Sequence, residues 1–257
     1  LKKKIKVKIY GMRELKLQNK NFSPKSKLFV RKSTTLILAT GIARIRQNNI
    51  ISLKKNIIIT KNLEFFFKKK YIKKIIFLSS IDIYKKNLIN INENSFVEAN
   101  DNYSLSKIIS ESLLLDMSKK YKKTLMIFRL PGIYGKNDQN QSLIGNFIHK
   151  AKNKKKLTIF NNGNTTRDFL NIKDFLNLVI ILSNLNKSII LNLVTGKKVK
   201  ISQLCLIIKN FIPQAKIIYS NKKDVRDYNI SFDNKKLINL TNYSFINIKD
   251  GIKDYIN

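Results

Sequence analysis

Short, almost unbroken apolar runs alternate along the chain with longer segments of helical period. "TTLILAT", ending at Thr40 and closed by Gly41, is one such run. "IKKIIFLSS" ends at Ser79 and Ser80, and "TLMIFRL" is closed by Pro131. Runs that are apolar on both alternating sets of positions predict strands buried on both faces. Between them, "SLKKNIIITKNLEFFFKKK" carries Ile58, Asn62, Phe65 and Phe66 at helical spacing, and the stretch from about Tyr103 to Tyr121 reads as a longer helix. Strands alternating with helices predict an α/β fold, a parallel sheet with right-handed crossovers. Ligands of such sheets bind beyond the carboxyl ends of the strands, which here are Ala39–Gly41, Ser79–Ser80 and Leu130–Gly132.

The second half is less regular. A helix near Ser142–Lys152 precedes the turn "NNGNTT"; "IKDFLNLVIILSNL" reads as a helix, "SIILNLV" as a strand and "SQLCLIIKNFI" as a helix. This part is expected to form a smaller lobe over the carboxyl edge of the sheet.

Composition changes the picture little. Of the 257 residues 43% are hydrophobic, enough for a buried core. The formal net charge is +35, from 51 Lys and Arg against 16 Asp and Glu. The excess is mostly Lys, spread over the whole chain and accompanied by Asn and Ile, the residues of A/T-rich codons. Genome composition explains it better than a nucleic-acid surface, although it favours anionic ligands. The single cysteine, Cys205, lies in an apolar helical pattern, so it is expected to be a buried structural thiol in a reducing compartment, the cytoplasm. With His149 as the lone histidine, a His-based triad or multi-His metal site is excluded, and no metal is expected. The basic start has no apolar core of a signal peptide, and the longest apolar stretch is too polar to span a bilayer.

The candidate chemistry sits in "DNYSLSKIISESLLL". A tyrosine is a poor base at neutral pH, with a reference pKa of about 10. A nearby cation favours the phenolate, and residues four apart share a helix face, so Lys107 can approach Tyr103. Ser80, at the end of the preceding strand, can hold a reacting oxygen. The spacing alone leaves two readings open: a proton-transfer pair or a solvated helical face.

The order of segments resembles the extended short-chain dehydrogenase/reductase family, the NAD-dependent epimerase/dehydratases that act on sugar nucleotides. The resemblance rests on "LILATG", "NIIITKNLEFF", "IIFLSSIDIY", "YSLSKIISE", "FRLPGIYG", "TTRDFLNIKD" and "LNLVTGKKVKISQL", from about residue 34 to 211. It implies a Rossmann-like core over residues 1–140, joined by segments around 171–195, and a substrate-binding lobe formed mainly by 141–257. It implies NAD or NADP as cofactor and a nucleotide-sugar substrate. Tyr103 becomes the acid/base, Lys107 the residue that holds the cofactor ribose and lowers the Tyr103 pKa, and Ser80 the donor to the reacting oxygen. Ala39, Thr40 and Gly41 lie along the cofactor, Pro131 lines the nicotinamide pocket, and Arg167 grips the substrate phosphates. A homodimer through a helix pair that includes the Tyr-Lys helix is implied as well.

Several positions depart from the family pattern. Gly132 stands where Asn is usual, among the substrate contacts, and Lys85 replaces the glycine after Tyr84. Asp82 matches a carboxylate that assists water loss in the dehydratase branch, but Ile81 leaves that acidic pair incomplete, which favours an epimerase or reductase. The glycine-rich strand-loop Gly-x-x-Gly-x-x-Gly is not found; Gly11 is the lone early candidate, and Arg13 hints at NADP. The expectation is therefore an N-terminally truncated core that binds NAD(P) poorly. The rivals are a non-catalytic homologue and, further off, a basic nucleic-acid-binding protein on the same fold.

Overall fold

The computed structural model describes Leu17 and residues 34–86, 88–222 and 230–257. Strand β1 (Thr34–Leu38) leads to α1 (Ile50–Asn62), the short α2 (Glu64–Phe67), β2 (Ile72–Ser80), the long α3 (Asn102–Tyr121) and β3 (Thr124–Leu130). Then come β4 (Gly132–Tyr134), α4 (Leu143–Lys152), β5 (Lys156–Phe160), β6 (Thr166–Arg167), β7 (Phe169–Asn171), α5 (Ile172–Ser183) and β8 (Ile189–Asn192). The series closes with β9 (Val199–Lys200), α6 (Ile201–Phe211), β10 (Lys216–Ser220), α7 (Lys235–Thr241) and α8 (Ile248–Ile256).

The main sheet runs β1-β2-β3-β8, with every pair parallel. Successive strand residues point to opposite faces, and here both faces are covered. Ile75 and Phe77 of β2 and Leu125 and Ile127 of β3 pack with Leu63, Phe66 and Leu114 on the side of α1–α3. Ile76, Met126 and Phe128 pack with Leu178 and Leu182 of α5 and Leu237 of α7 on the other. Each such side chain stabilises the fold by roughly 1.5–3 kcal/mol relative to exposure. The two-sided burial explains why β2 and β3 show no polar alternation in sequence.

Two expectations need correction. The run before Thr40 forms a strand, but not a fully buried one: Thr35 is exposed and Ile37 is 47% exposed. Among the described strands β1 is the edge of the sheet, pairing with β2 alone. The helix after it also turns a different face inward. Ser52, Leu53, Asn56, Ile59 and Thr60 are buried, whereas Ile58 and Asn62 are half-buried. Polar residues fill that stripe because they bond to the neighbouring helix: Asn56 Nδ2 donates to Ser106 Oγ at 3.1 Å, and the Thr60 and Ser110 hydroxyls lie 2.7 Å apart.

The lobe has its own core of α4, β5, α6 and α8, which includes the fully buried Cys205. Burial pushes the Cys205 thiol up to about 12, so the chain's cysteine is inert packing. β5 and β10 pair within the lobe, and the other short pairs are β4–β7 and β6–β9. Among the described residues no helix is long and apolar enough to cross a membrane, and no group of His, Cys, Asp or Glu side chains could hold a metal ion.

Candidate active site

The carboxyl ends of three adjacent strands open into one cleft of about 730 Å³, a size typical of small-molecule sites. β2 delivers Ser79 and Ser80, and its register sets Ser80 beside Leu130, so that β3 turns at Pro131–Gly132 next to it. β1 delivers Ala39–Gly41, while the lobe supplies Gln141–Leu143 and Arg167–Phe169. Gly41 has φ +119°, which a side chain would strain, and its neighbour Ile42 is pinned by Asn56, whose Oδ1 accepts from Ile42 N at 2.6 Å.

The cleft gathers Ala39, Thr40, Gly41, Ser80, Asp82, Tyr103, Lys107, Pro131, Gly132 and Arg167 on its walls. Arg13 lies outside the described residues. Gly132 is not forced by sterics, since an added Cβ would meet Phe169 at an ordinary 3.5 Å.

Local signals place the central pair. Asp101 caps α3: its carboxylate accepts from Ser104 N at 2.8 Å, and Ser104 Oγ accepts from Asp101 N at 2.9 Å. Tyr103 therefore sits on the first turn and Lys107 one turn later. Tyr103 lies within electrostatic reach of Ser80, whose side chain acts to lower the phenol pKa and whose Oγ accepts from Asp82 N at 3.2 Å. Lys107 is buried; its Nζ donates to Leu78 O at 2.9 Å and lies 5.8 Å from the Tyr103 ring centroid.

The electrostatics are harsher than expected. Burial above all, and then Asp82, push the Tyr103 phenol up to about 12, while Ser80 and Arg44 pull the other way. Burial holds Lys107 down to about 8. The groups that lower the Tyr103 pKa are Ser80 and Arg44, and burial outweighs them because desolvation disfavours the phenolate.

Sequence reading missed three elements of the site. Arg44 Nη1 lies 2.8 Å from Asp82 Oδ2 and Nε 2.8 Å from Asp101 Oδ2, and its guanidinium carbon is 5.0 Å from the Tyr103 ring centroid. Asn56 fixes the turn after Gly41. Behind the cleft, Arg129 Nε and Nη2 hold the Glu111 carboxylate at 3.2 and 2.8 Å, and Ser79 Oγ donates to it at 2.5 Å. A charged residue inside the apolar run "TLMIFRL" is itself a signal of a buried partner.

Comparison with known proteins finds relatives of the chain. A Methanocaldococcus jannaschii protein named "Putative UDP-glucose 4-epimerase" is 30% identical over 208 residues, covering 79% of this chain and 68% of that protein. A dTDP-D-glucose 4,6-dehydratase of Dictyostelium discoideum is 32% identical over 133 residues, 47% of this chain but 31% of that protein. The crystal structure of a Thermotoga maritima UDP-glucose 4-epimerase with UDP-glucose shares the fold, with a TM-score of 0.78 at 19% identity over 86% of this chain and 75% of that one. Residues 12–193 match the profile of the NAD dependent epimerase/dehydratase family, and the chain belongs to that family.

Proposed function

We propose that the chain is an NAD(P)-dependent sugar-nucleotide epimerase or reductase, working by hydride transfer at a sugar carbon with Tyr103 moving the proton. The observation that carries this reading is the convergence of Tyr103, Ser80 and Lys107 at the carboxyl edge of a parallel sheet. The donor set fits a nicotinamide dinucleotide. Lys107 is a buried ammonium with three N–H donors, and Leu78 O is its one hydrogen-bond acceptor among the described residues. The remaining donors suit ribose hydroxyls, with Ala39–Gly41 alongside and Pro131 bordering the ring. When bound, the nicotinamide supplies the hydride acceptor and donor.

The chain's own residues do the rest. Ser80 holds the reacting sugar oxygen, and Tyr103 exchanges a proton with it. With its pKa at about 12 the phenol is protonated at neutral pH, the form that donates to a developing alkoxide. In the opposite direction it acts as base only when positive charge is brought against it. Asp82 is committed to Arg44 through Oδ2. Ile81 beside it leaves the acidic pair of the dehydratase branch incomplete. That supports epimerase or reductase over 4,6-dehydratase, despite the dehydratase relative, and formation of a 4-keto-6-deoxy sugar would count against it.

The test is turnover of UDP-glucose by the purified chain with NAD or NADP. Tyr103→Phe should lower kcat by roughly 10²–10⁴-fold with an unchanged circular dichroism spectrum. Retained activity removes Tyr103 from the acid/base role, and no turnover or binding with either cofactor supports a non-catalytic homologue instead.

A further inference from the structure

The cleft walls beside Tyr103 carry charges of both signs. Among the described residues the cations lining the cleft are Arg44, Lys107 and Arg167. Lys107 is buried below the Tyr103 ring and directed to Leu78 O. Arg167 comes from lobe strand β6, not from the Tyr103 side. Arg44 is the cation nearest the Tyr103 ring face, and two carboxylates, Asp82 and Asp101, each stand 2.8 Å from it. One guanidinium between two carboxylates leaves the Arg44 cluster itself net negative, and Asp82 is the carboxylate of the two that lines the cleft. The clasp is also held in place: Asn48 Nδ2 donates to Asp101 Oδ2 at 3.1 Å, and Asn48 Oδ1 accepts from Tyr103 N at 3.0 Å.

Asp82 itself lines the cleft with its side chain 28% exposed, close enough to Tyr103 to act on the phenol. A sugar hydroxyl placed there can donate to its carboxylate. A sugar carboxylate cannot, and meets a like charge with Arg44 already engaged. Building on the sugar-nucleotide reading, we propose that the Arg44–Asp82 pair is a specificity-determining element that admits uncharged hexoses and rejects uronates.

Calorimetric titration of the intact chain with UDP-glucose, UDP-glucuronate and UDP tests this. About 0.15 M salt limits the pull of the net +35 charge on every anion. UDP-glucose should bind at least about tenfold tighter than UDP-glucuronate, a factor equivalent to about 1.4 kcal/mol. Asp82→Asn should bring the ratio close to unity by improving glucuronate binding. Arg44→Gln, which leaves Asp82 unneutralised, should widen it, and affinity for UDP should hold steady in all three proteins. Equal binding of the two sugars by the wild type, or a ratio that ignores Asp82→Asn while UDP still binds, overturns the specificity claim alone. Failure of UDP and both sugars to bind overturns the sugar-nucleotide reading beneath it, and the claim with it.

Discussion

Two arginines near the same cleft meet carboxylates at the same distance in opposite surroundings. Arg129 and Glu111 are each only 7% exposed and 2.8 Å apart. Arg44 and Asp82, also 2.8 Å apart, are 19% and 28% exposed. Identical chemistry has different consequences. In the dry interior the charges attract strongly, but each has given up its water, so the pair stands or falls as a unit. Its reach is architectural. Arg129 Nη1 donates to the Tyr84 hydroxyl at 2.8 Å, which donates to Asn192 Oδ1 at 2.7 Å, tying β3, α3, β8 and the segment after β2 together. At the mouth, where Arg44 and Asp82 are part-exposed, water screens the attraction more, and the Arg44 pair should contribute less to folding than the dry one. What it keeps is an electric field at the place where a ligand arrives.

The largest expected effect breaks the dry pair. Arg129→Met leaves the Glu111 carboxylate buried without its hydrogen-bonded counter-charge, with Ser79 and the more distant Lys107 as its remaining partners, which should cost about 3–5 kcal/mol. Urea denaturation reads this directly. Combining Arg129→Met with Glu111→Leu should recover most of the loss, because neither side then carries a buried charge. A double variant as unstable as the single one would show that lost packing, not the orphaned carboxylate, sets the cost.

Lys107 sharpens the contrast, being buried like Arg129 but without a hydrogen-bonded carboxylate. Its folded pKa of about 8 lies below the ordinary lysine value of 10.5 because burial disfavours the ammonium. The folded chain therefore loses this cation as pH rises through about 8. If the ammonium form alone holds the cofactor, affinity for NAD(P)(H) should fall on the order of tenfold between pH 7 and 9. Lys107→Met should flatten that profile. Unfolding is not the cause, since between 8 and 10.5 the unfolded chain binds more protons at this site, and stability contributed by it rises with pH. A pH-independent affinity in the wild type would remove Lys107 from the cofactor site.

Sequence made these regions legible to different degrees, for physical reasons. β2, β3 and α3 follow from apolar runs and a helical period, since burial on both faces writes itself into composition. Tyr103, Lys107 and Ser80 were legible because two share a helix face and the third ends a strand. The buried stripe of α1 was not, because Asn56 and Thr60 satisfy each other's helix neighbours with hydrogen bonds, and a hydrophobic pattern cannot register a polar contact. Arg44 escaped for another reason: Asp82 and Asp101 reach it only once the sheet order has brought the end of β1 beside the end of β2. The short strands β4, β6, β7 and β9 are too brief to show any period.

The smallest expected effect is on stability when the wet pair is broken. Arg44→Gln removes its ion pairs with Asp82 and Asp101 at once, yet pairs open to water typically contribute about 0–1 kcal/mol. The neighbourhood keeps its other supports: the Asp101–Ser104 cap and the Asn48 contact to Tyr103 N do not involve Arg44. The urea midpoint should therefore move by no more than about 1 kcal/mol. Raising salt from about 0.1 to 1 M shortens the screening length from roughly 10 to 3 Å and should erase even that. The cost of Arg129→Met should survive the same change, since water and ions do not reach its carboxylate. If Arg44→Gln destabilised the chain as much as Arg129→Met and resisted salt equally, exposure would not be what separates the two pairs, and the clasp over Tyr103 would belong to the fold and not to ligand selection.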